Sequence, residues 1–314
     1  MILSILFVVL PVFLVTGAGY AAARAKLFAP SAVDGLMIFA QRFGIPCVLF
    51  RGISRLDLAQ VFEPGLLISF YGGVVAVFVL GILGARWLFG RRPGEAVAIG
   101  FAAMFSNLVL LGLPIAERAY GPDEIAALFA IASIHAPFCY LVGITMMEFS
   151  RADGRGPADT LRAVVRAMFS NALMIGIALG FAINLAGITL HETLRVAVDM
   201  LADAALPAAL FGLGGLLTRY AIRASLAEAG MITVLSLVVH PAIVLTLGTL
   251  VFDLSGPFLR GAVLGAAMAP GANTYIFASM YGRAQAQSAS AVLIGTVLAV
   301  GTVSAWLAVL GGIG

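Results

Sequence analysis

The hydrophobic positions of the chain fall in long runs, which Arg, Lys, Asp, Glu and Gly/Pro punctuation cut into ten segments: 4–23, 33–50, 64–85, 96–116, 125–147, 167–187, 194–217, 229–251, 259–281 and 287–310. About 20 apolar residues of helix cross the hydrocarbon core of a bilayer, so each segment predicts one transmembrane helix. The fourth run disturbs this pattern: its "FSNLVLLGLP" at 105–114 sets Asn107 and Pro114 within apolar sequence.

The two halves of the chain echo each other. "GYA" at 19–21 recurs as "GFA" at 180–182, "PCVLF" at 46–50 as "PAALF" at 207–211, and "AYG" at 119–121 as "MYG" at 280–282, all at an offset of 161. "AVAIGFAAM" at 96–104 also echoes "AVLGAAM" at 262–268. A constant offset across three spans predicts a duplication, with a first repeat over 1–150, a cytoplasmic linker at 151–162 containing "RADGRGPAD", and a second repeat over 163–314. Five spans is an odd number, so the second copy runs inverted relative to the first. Inverted repeats mark secondary transporters: two inverted copies that exchange conformations open one central site to alternate sides. The predicted fold class is an all-α integral membrane protein of ten transmembrane helices in two inverted five-helix repeats.

Span 9, the repeat mate of span 4, reads "AAMAPGANTYIFASMYG" and carries Pro270 and Asn273. Proline removes a backbone donor and clashes with the preceding turn. In hydrocarbon an unpaired peptide group is costly unless it faces protein or a wet cavity. Two equivalent interruptions therefore predict two broken helices, 4 and 9, at mid-membrane. Their N-terminal ends carry positive partial charge, and the asparagine amides add uncharged donors and acceptors. That combination suits an anion, particularly a carboxylate. A competing reading is packing, in which Pro and Asn only kink the helices and each Asn bonds to a neighbouring span.

Composition agrees with the span pattern: 62% of the residues are hydrophobic and 11% charged, far from the balance of a soluble domain. Both cysteines, Cys47 and Cys139, fall inside spans, so neither a disulfide framework nor a thiolate metal site is expected. No cofactor is expected. The net charge of +3 is spread over connecting loops, which argues for membrane topology and not for a nucleic-acid partner. No basic residue precedes the first segment, which reads as a retained span and not a signal peptide. Loops after spans 1, 3, 5, 7 and 9 hold Arg24, Lys26, Arg86, Arg91, Arg92, Arg151, Arg155, Arg162, Arg166, Arg219, Arg223 and Arg283, twelve in all. The opposite side holds five, Arg51, Arg55, Arg118, Arg195 and Arg260. This bias puts the odd-numbered loops in the cytoplasm and both termini outside the plasma (inner) membrane.

On these residues the chain resembles the auxin efflux carrier family. "FSNLVLLGLP" is similar to the first crossover motif of that family, an Asn followed by Gly and Pro in a G-x-P pattern, and "PGANTYIFASMYG" is similar to the second. The short linker resembles bacterial members more than the long-looped plant carriers. The resemblance implies that spans 4 and 9 cross and that Asn107, Asn273, Pro114 and Pro270 surround the substrate. Ser106, Gly112 and Thr274 flank them in the same motifs. It also implies a scaffold of the sodium/bile-acid symporter type, an organic anion such as malonate, malate or an indole acid as substrate, and a homodimer in membrane lipid.

Ionisable groups inside spans are functional by default. Arg42 and Asp203 are repeat mates, each four residues before a proline, Pro46 and Pro207. Four residues are about 6 Å of helix, and the two spans run in opposite directions, so the pair is expected at different depths and not in contact. Arg42 is expected to draw the anion in from the cytoplasm, and Asp203 to be a protonatable or gating group. The alternative is that both snorkel or pair with local backbone and water. Asp199 is placed at the water boundary. His135 in span 5 is a coupling candidate near neutral pH, with hydrogen-bonded packing as the alternative, and His240 in span 8 is a weaker one. Glu117, Asp123, Glu124 and Glu148 read as solvated helix ends.

Other classes fit less well. No DxxxD, HExxH or GxSxG lies in a span, so an enzyme is not expected, and a receptor would bring an added soluble domain. The nearer rival is a sodium-coupled organic-anion symporter on the same scaffold. That type, by the same resemblance, uses an acid in its second crossover, where this chain has Asn273 and Thr274; facilitated or proton-linked transport is expected instead. The topology has a direct check. A tag on either terminus should be accessible from outside the cell, and cysteine labels in 151–159 should react only from the cytoplasm; cytoplasmic termini would contradict both the span count and the inversion.

Overall fold

The computed structural model of the protein describes residues 2–121, 125–150, 162, 172–220 and 226–311. Linker residues 151–161, the start of the sixth segment, Asp123, Glu124, Arg166 and Arg223 lie outside them. Every named element among the described residues is helical: α1 Ile2–Arg24, α2 Pro30–Phe39, α3 Ile45–Ser54, α4 Leu58–Val61, α5 Pro64–Trp87, α6 Pro93–Met104, α7 Leu113–Tyr120, α8 Ala126–Ser150, α9 Ala172–Leu185, α10 Glu192–Leu217, α11 Leu226–Val234, α12 His240–Leu250, α13 Gly256–Ala266, α14 Ala272–Tyr281 and α15 Gln285–Gly311.

Seven helical stretches among the described residues are long and apolar enough to cross a membrane, and Pro93–Met104 and Ala172–Leu185 are shorter apolar helices. Segments 4 and 9 are missing from the seven because their helices stop midway, α6 at Met104 and α13 at Ala266.

Proline shapes the helices in two ways. Many begin with Pro in the first two positions, where its missing N–H has no helical partner to lose. Deeper in a span the ring displaces the carbonyl four residues back. Among the described residues three five-residue π-helical segments relieve this: Ala40–Gly44, Leu108–Gly112 and Leu235–Val239. Each ends two residues before a proline, Pro46, Pro114 or Pro241. In each, the amide just before the proline donates five residues back: Ile45 to Ala40, Leu113 to Leu108 and His240 to Leu235. Widening the turn by one residue makes room for the ring.

The chain forms two compact units, Met1–Val9 with Glu63–Val165 and Tyr220–Gly314, and Leu10–Phe62 with Arg166–Arg219. Each therefore draws on both halves of the sequence. In the second unit α3 and α10 run antiparallel, as their ion pairs show: Arg51 Nη1 to Asp203 Oδ1 at 2.6 Å and Arg55 Nη2 to Asp199 Oδ1 at 3.1 Å. The Asn184 amide closes the end of α3 by donating to the Ile53 and Leu56 carbonyls at 2.9 and 2.7 Å.

Glycines set the closest approaches in this unit, as expected where helices associate through small residues. A Cβ on Gly19 would overlap the Phe211 carbonyl oxygen, and one on Gly180 would lie 3.3 Å from the Phe50 carbonyl oxygen. Both glycines and both phenylalanines are separated by 161, so equivalent positions of the two halves face each other, the second more loosely, with Ile53 Cβ nearest to Gly180 at 3.0 Å. A Cβ on Gly44 would meet Ala205 Cβ at 2.6 Å, and these two residues are themselves 161 apart.

In the first unit the wholly buried face of α6 lies on α5, where a Cβ on Gly81 would come within 2.8 Å of Gly100 Cα. A half-buried ion pair ties the turn after α5 to α11. Arg91, in the turn after α5, binds Glu228 through Nε and through Nη2, the latter at 2.9 Å, and Gln287 Nε2 donates to the same carboxylate at 3.2 Å. Glu228 is fully buried, and its carboxylate raises the Arg91 pKa further above its already high value. Glu148, read from sequence as a solvated end, is buried, because α8 packs its last turns against other helices of this unit.

The glycine contacts carry a prediction. Gly19→Ala pushes a methyl group into backbone that cannot rotate away, and should cost about 1–3 kcal/mol, read as a lower melting temperature in detergent. Gly17→Ala, on the same helix with nothing within 4 Å of the added carbon, should leave the melting temperature unchanged.

Candidate functional site

The site begins where α6 ends. Phe105 (φ −88°, ψ 89°) and Asn107 (φ −80°, ψ 61°) leave the helical region, and the chain opens again between α13 and Gly271 (φ −78°, ψ 162°). The peptide groups released by one break are satisfied by the other. Asn107 N–H donates to the Ala269 carbonyl at 2.9 Å and Gly271 N–H to the Phe105 carbonyl at 3.0 Å. Ser106 and Pro270 face each other in the resulting antiparallel bridge. They occupy the pair that exchanges no hydrogen bonds, so the donor that Pro270 lacks is not needed there.

Each break is followed by a helical N-terminus. The Asn107 carbonyl accepts from Leu111 and Gly112 amides at 3.2 and 3.1 Å to start the π-helical limb leading to α7. On the other side, α14 starts at Ala272, and the Thr274 hydroxyl donates to the Gly271 carbonyl at 2.8 Å. Positive helix ends and amide side chains thus collect around the bridge.

Ser106 and Asn107 are 1% and 7% exposed. The Ser106 hydroxyl has no hydrogen-bond partner among the described residues. Asn273 is half-buried in the first turn of α14 and accepts from the Tyr140 hydroxyl at 3.3 Å. Thr274 is fully buried. Gly112 lies beside the opposite break, where a Cβ would make an ordinary contact with Met268 Cγ at 3.4 Å. Pro114 is buried at the start of α7.

His135 reaches this region: its ring centroid lies 5.0 Å from that of Phe105, with Cys139 Sγ 3.8 Å from Nδ1. His240 is buried beyond Phe70, whose ring sits 5.2 Å from His240 and 5.7 Å from His135.

Arg42 and Asp203 belong to the other unit. Arg42 is exposed in the π-helical segment 40–44. Asp203 is ion-paired with Arg51. Asp199, placed by sequence at the water boundary, has a side chain only 26% exposed, and Arg51 and Arg55 both pair with it, at 3.7 and 3.1 Å.

Sequence reasoning missed the aromatic wall. Phe101 stacks on Phe277 at 3.8 Å and 7°, and Tyr140 joins Phe101, Phe105 and Phe277. A tyrosine hydroxyl within span 5 was the available signal. Ser236 was also missed; its hydroxyl donates to the Met268 carbonyl at 3.2 Å and ties span 8 to the second break. Among the described residues no three His, Cys, Asp or Glu side chains are grouped to hold a metal ion. The polar groups at the breaks are amides, hydroxyls and helix ends, which can hydrogen-bond a small polar or anionic molecule.

Apolar spans with two interrupted helices joined at their breaks define an integral membrane transporter. The chain belongs to the membrane transport protein family, that of the auxin efflux carriers, whose profile matches residues 4–307. It is 27% identical over 305 residues, 95% of this chain and 93% of the other, to a protein of Rhizobium meliloti (strain 1021) named "Putative malonate transporter". It is 26% identical over 147 residues, 45% of this chain and 40% of the other, to "Auxin efflux carrier component 8" of Arabidopsis thaliana. Family and relatives are transporters, not enzymes.

An unpartnered buried hydroxyl costs about 1–3 kcal/mol. Ser106→Ala should therefore leave the ligand-free protein as stable as before or more stable, read by thermal unfolding. A fall in melting temperature would show that the hydroxyl is already bonded.

Proposed function

We propose that the protein is a secondary transporter for a small organic anion, a carboxylate such as malonate, malate or an indole acid. In this reading it works by alternating access at the joined breaks of spans 4 and 9. The observation that carries the reading is the hydrogen-bonded pairing of 105–107 with 269–271, which collects Ser106, Asn107 and the first turn of α14 at one place. Asn107 and Asn273 are the polar walls of the site, with Ser106 and Thr274 beside them, and Gly112, Pro114 and Pro270 shape the backbone. The name of the Rhizobium relative supports a dicarboxylate.

The rest of the reading follows the sequence. Ten spans form two inverted repeats, 1–150 and 163–314, joined by a cytoplasmic linker at 151–162, with spans 4 and 9 crossing and both termini outside the plasma membrane. The matched glycine contacts at an offset of 161 support the duplication, and the antiparallel course of α3 and α10 supports the inversion. Arg42 draws the anion in. His135, against Phe105, is the coupling group closest to the site, and Asp203 gates through its bond to Arg51. The working form is a homodimer. Neither 105–114 nor 267–274 contains an acid, which favours facilitated or proton-linked transport over sodium coupling.

Asn107→Ala and Asn273→Ala should each weaken malonate binding about ten- to a hundredfold, the worth of a hydrogen bond to a charged group, about 1.5–3 kcal/mol. Melting temperatures without ligand should stay near normal, and the double mutant should fall short of additivity because both amides touch one ligand. Lower melting temperatures with normal affinity and additive effects would make both asparagines packing residues. The readout is binding by calorimetry beside melting of the three variants, with and without sodium.

A further inference from the structure

Two cavities in the unit of Leu10–Phe62 and Arg166–Arg219 share a wall. One, about 220 Å³, opens among Arg51, Arg55, Arg195 and Asp199. The other, about 270 Å³, is bounded by apolar side chains that include Ile175, Leu179 and Leu194. Phe50, Leu190 and Val198 line both, so a charged chamber adjoins an apolar one. Arg51 and Arg55 close the C-terminal end of α3, and Arg195 lies in the first turn of the antiparallel α10. All three guanidinium groups therefore sit at the same edge of the unit, where α3 ends and α10 begins.

The charged chamber is not internally neutral. Three guanidinium groups face one lining carboxylate, Asp199. Arg55 and Arg51 are held by Asp199 and Asp203, whereas among the described residues Arg195 pairs only with Glu192, 3.8 Å away with an 81% exposed side chain. Next to this positive excess, Leu179 and Leu194 are 53% and 54% exposed. Guanidinium forks pair well with phosphate, and exposed apolar side chains beside them suit a hydrocarbon chain.

We propose that this double chamber binds one anionic phospholipid of the surrounding bilayer. Its phosphate lies against Arg195 with Arg51 and Arg55, and an acyl chain runs past Val198 along Leu179 and Leu194. The site is separate from the helix breaks and does not rest on the transport reading.

The test is native mass spectrometry and thermal unfolding of the purified full chain in nonionic detergent. Phosphatidylglycerol and phosphatidylcholine with the same acyl chains compete, and glycerol 3-phosphate serves as the free headgroup. Phosphatidylglycerol should be retained over phosphatidylcholine by roughly tenfold and should raise the melting temperature, while glycerol 3-phosphate does neither. Arg195→Gln, which spares the ion pairs between α3 and α10, should abolish the preference; Arg195→Lys should keep most of it, and Val198→Trp should lose the bound lipid. Equal retention of the two lipids, or a preference untouched by Arg195→Gln and Val198→Trp, overturns the proposal. A shift reproduced by glycerol 3-phosphate makes this a free-anion site and also overturns it, as does a dimer whose melting temperature is indifferent to phosphatidylglycerol.

Discussion

Two helices interrupted within a membrane protein leave peptide groups that hydrocarbon cannot satisfy, and the remainder of the site follows from how those groups are paired. Here one break bonds the other: 107 to 269 and 271 to 105. An unpaired peptide group in lipid costs several kcal/mol, so neither break is tolerable without its partner. The bridge thereby fixes two distant parts of the chain to within hydrogen-bond distance. It also turns both following helices so that their N-termini lie beside it. Phe101, Phe105, Tyr140 and Phe277 pack on one another beside it, Phe105 being part of the first break itself.

Polar groups at the bridge divide by whether they are already used. The Thr274 hydroxyl is spent on the Gly271 carbonyl and the Asn273 carbonyl oxygen accepts from Tyr140. Among the described residues the Ser106 hydroxyl has no partner, although Ser106 is 1% exposed. A protein under selection for stability alone would have little reason to bury such a group. The second break thus holds its hydroxyl and amide side chains in place while the first leaves the Ser106 hydroxyl open, an asymmetry that identical repeats would not show.

Much of this was legible in the sequence because proline and asparagine are conspicuous in apolar runs. Pro114 with Asn107, and Pro270 with Asn273, marked the two interrupted spans, and the offset of 161 marked positions that pack alike, Gly19 with Phe211 and Gly180 with Phe50. The location of the first break was less legible. Pro114 heads a π-helical relief, while the backbone opens seven to nine residues earlier, at 105–107. Only a partner strand more than 160 residues away makes that opening stable, and no local pattern encodes such a partner. For the same reason the sequence does not reveal Arg51, a loop charge by its position, as the partner of Asp203, or the buried Glu228 as the partner of Arg91.

The central claim is that the two joined breaks form one carboxylate site. Its most direct test is an experimental structure of the purified protein with malonate bound. The account predicts density for the anion beside the 105–107 and 269–271 segments, within hydrogen-bond reach of the side-chain amides of both Asn107 and Asn273. Malonate bound away from the bridge, or against one asparagine with the other facing only protein, would contradict it.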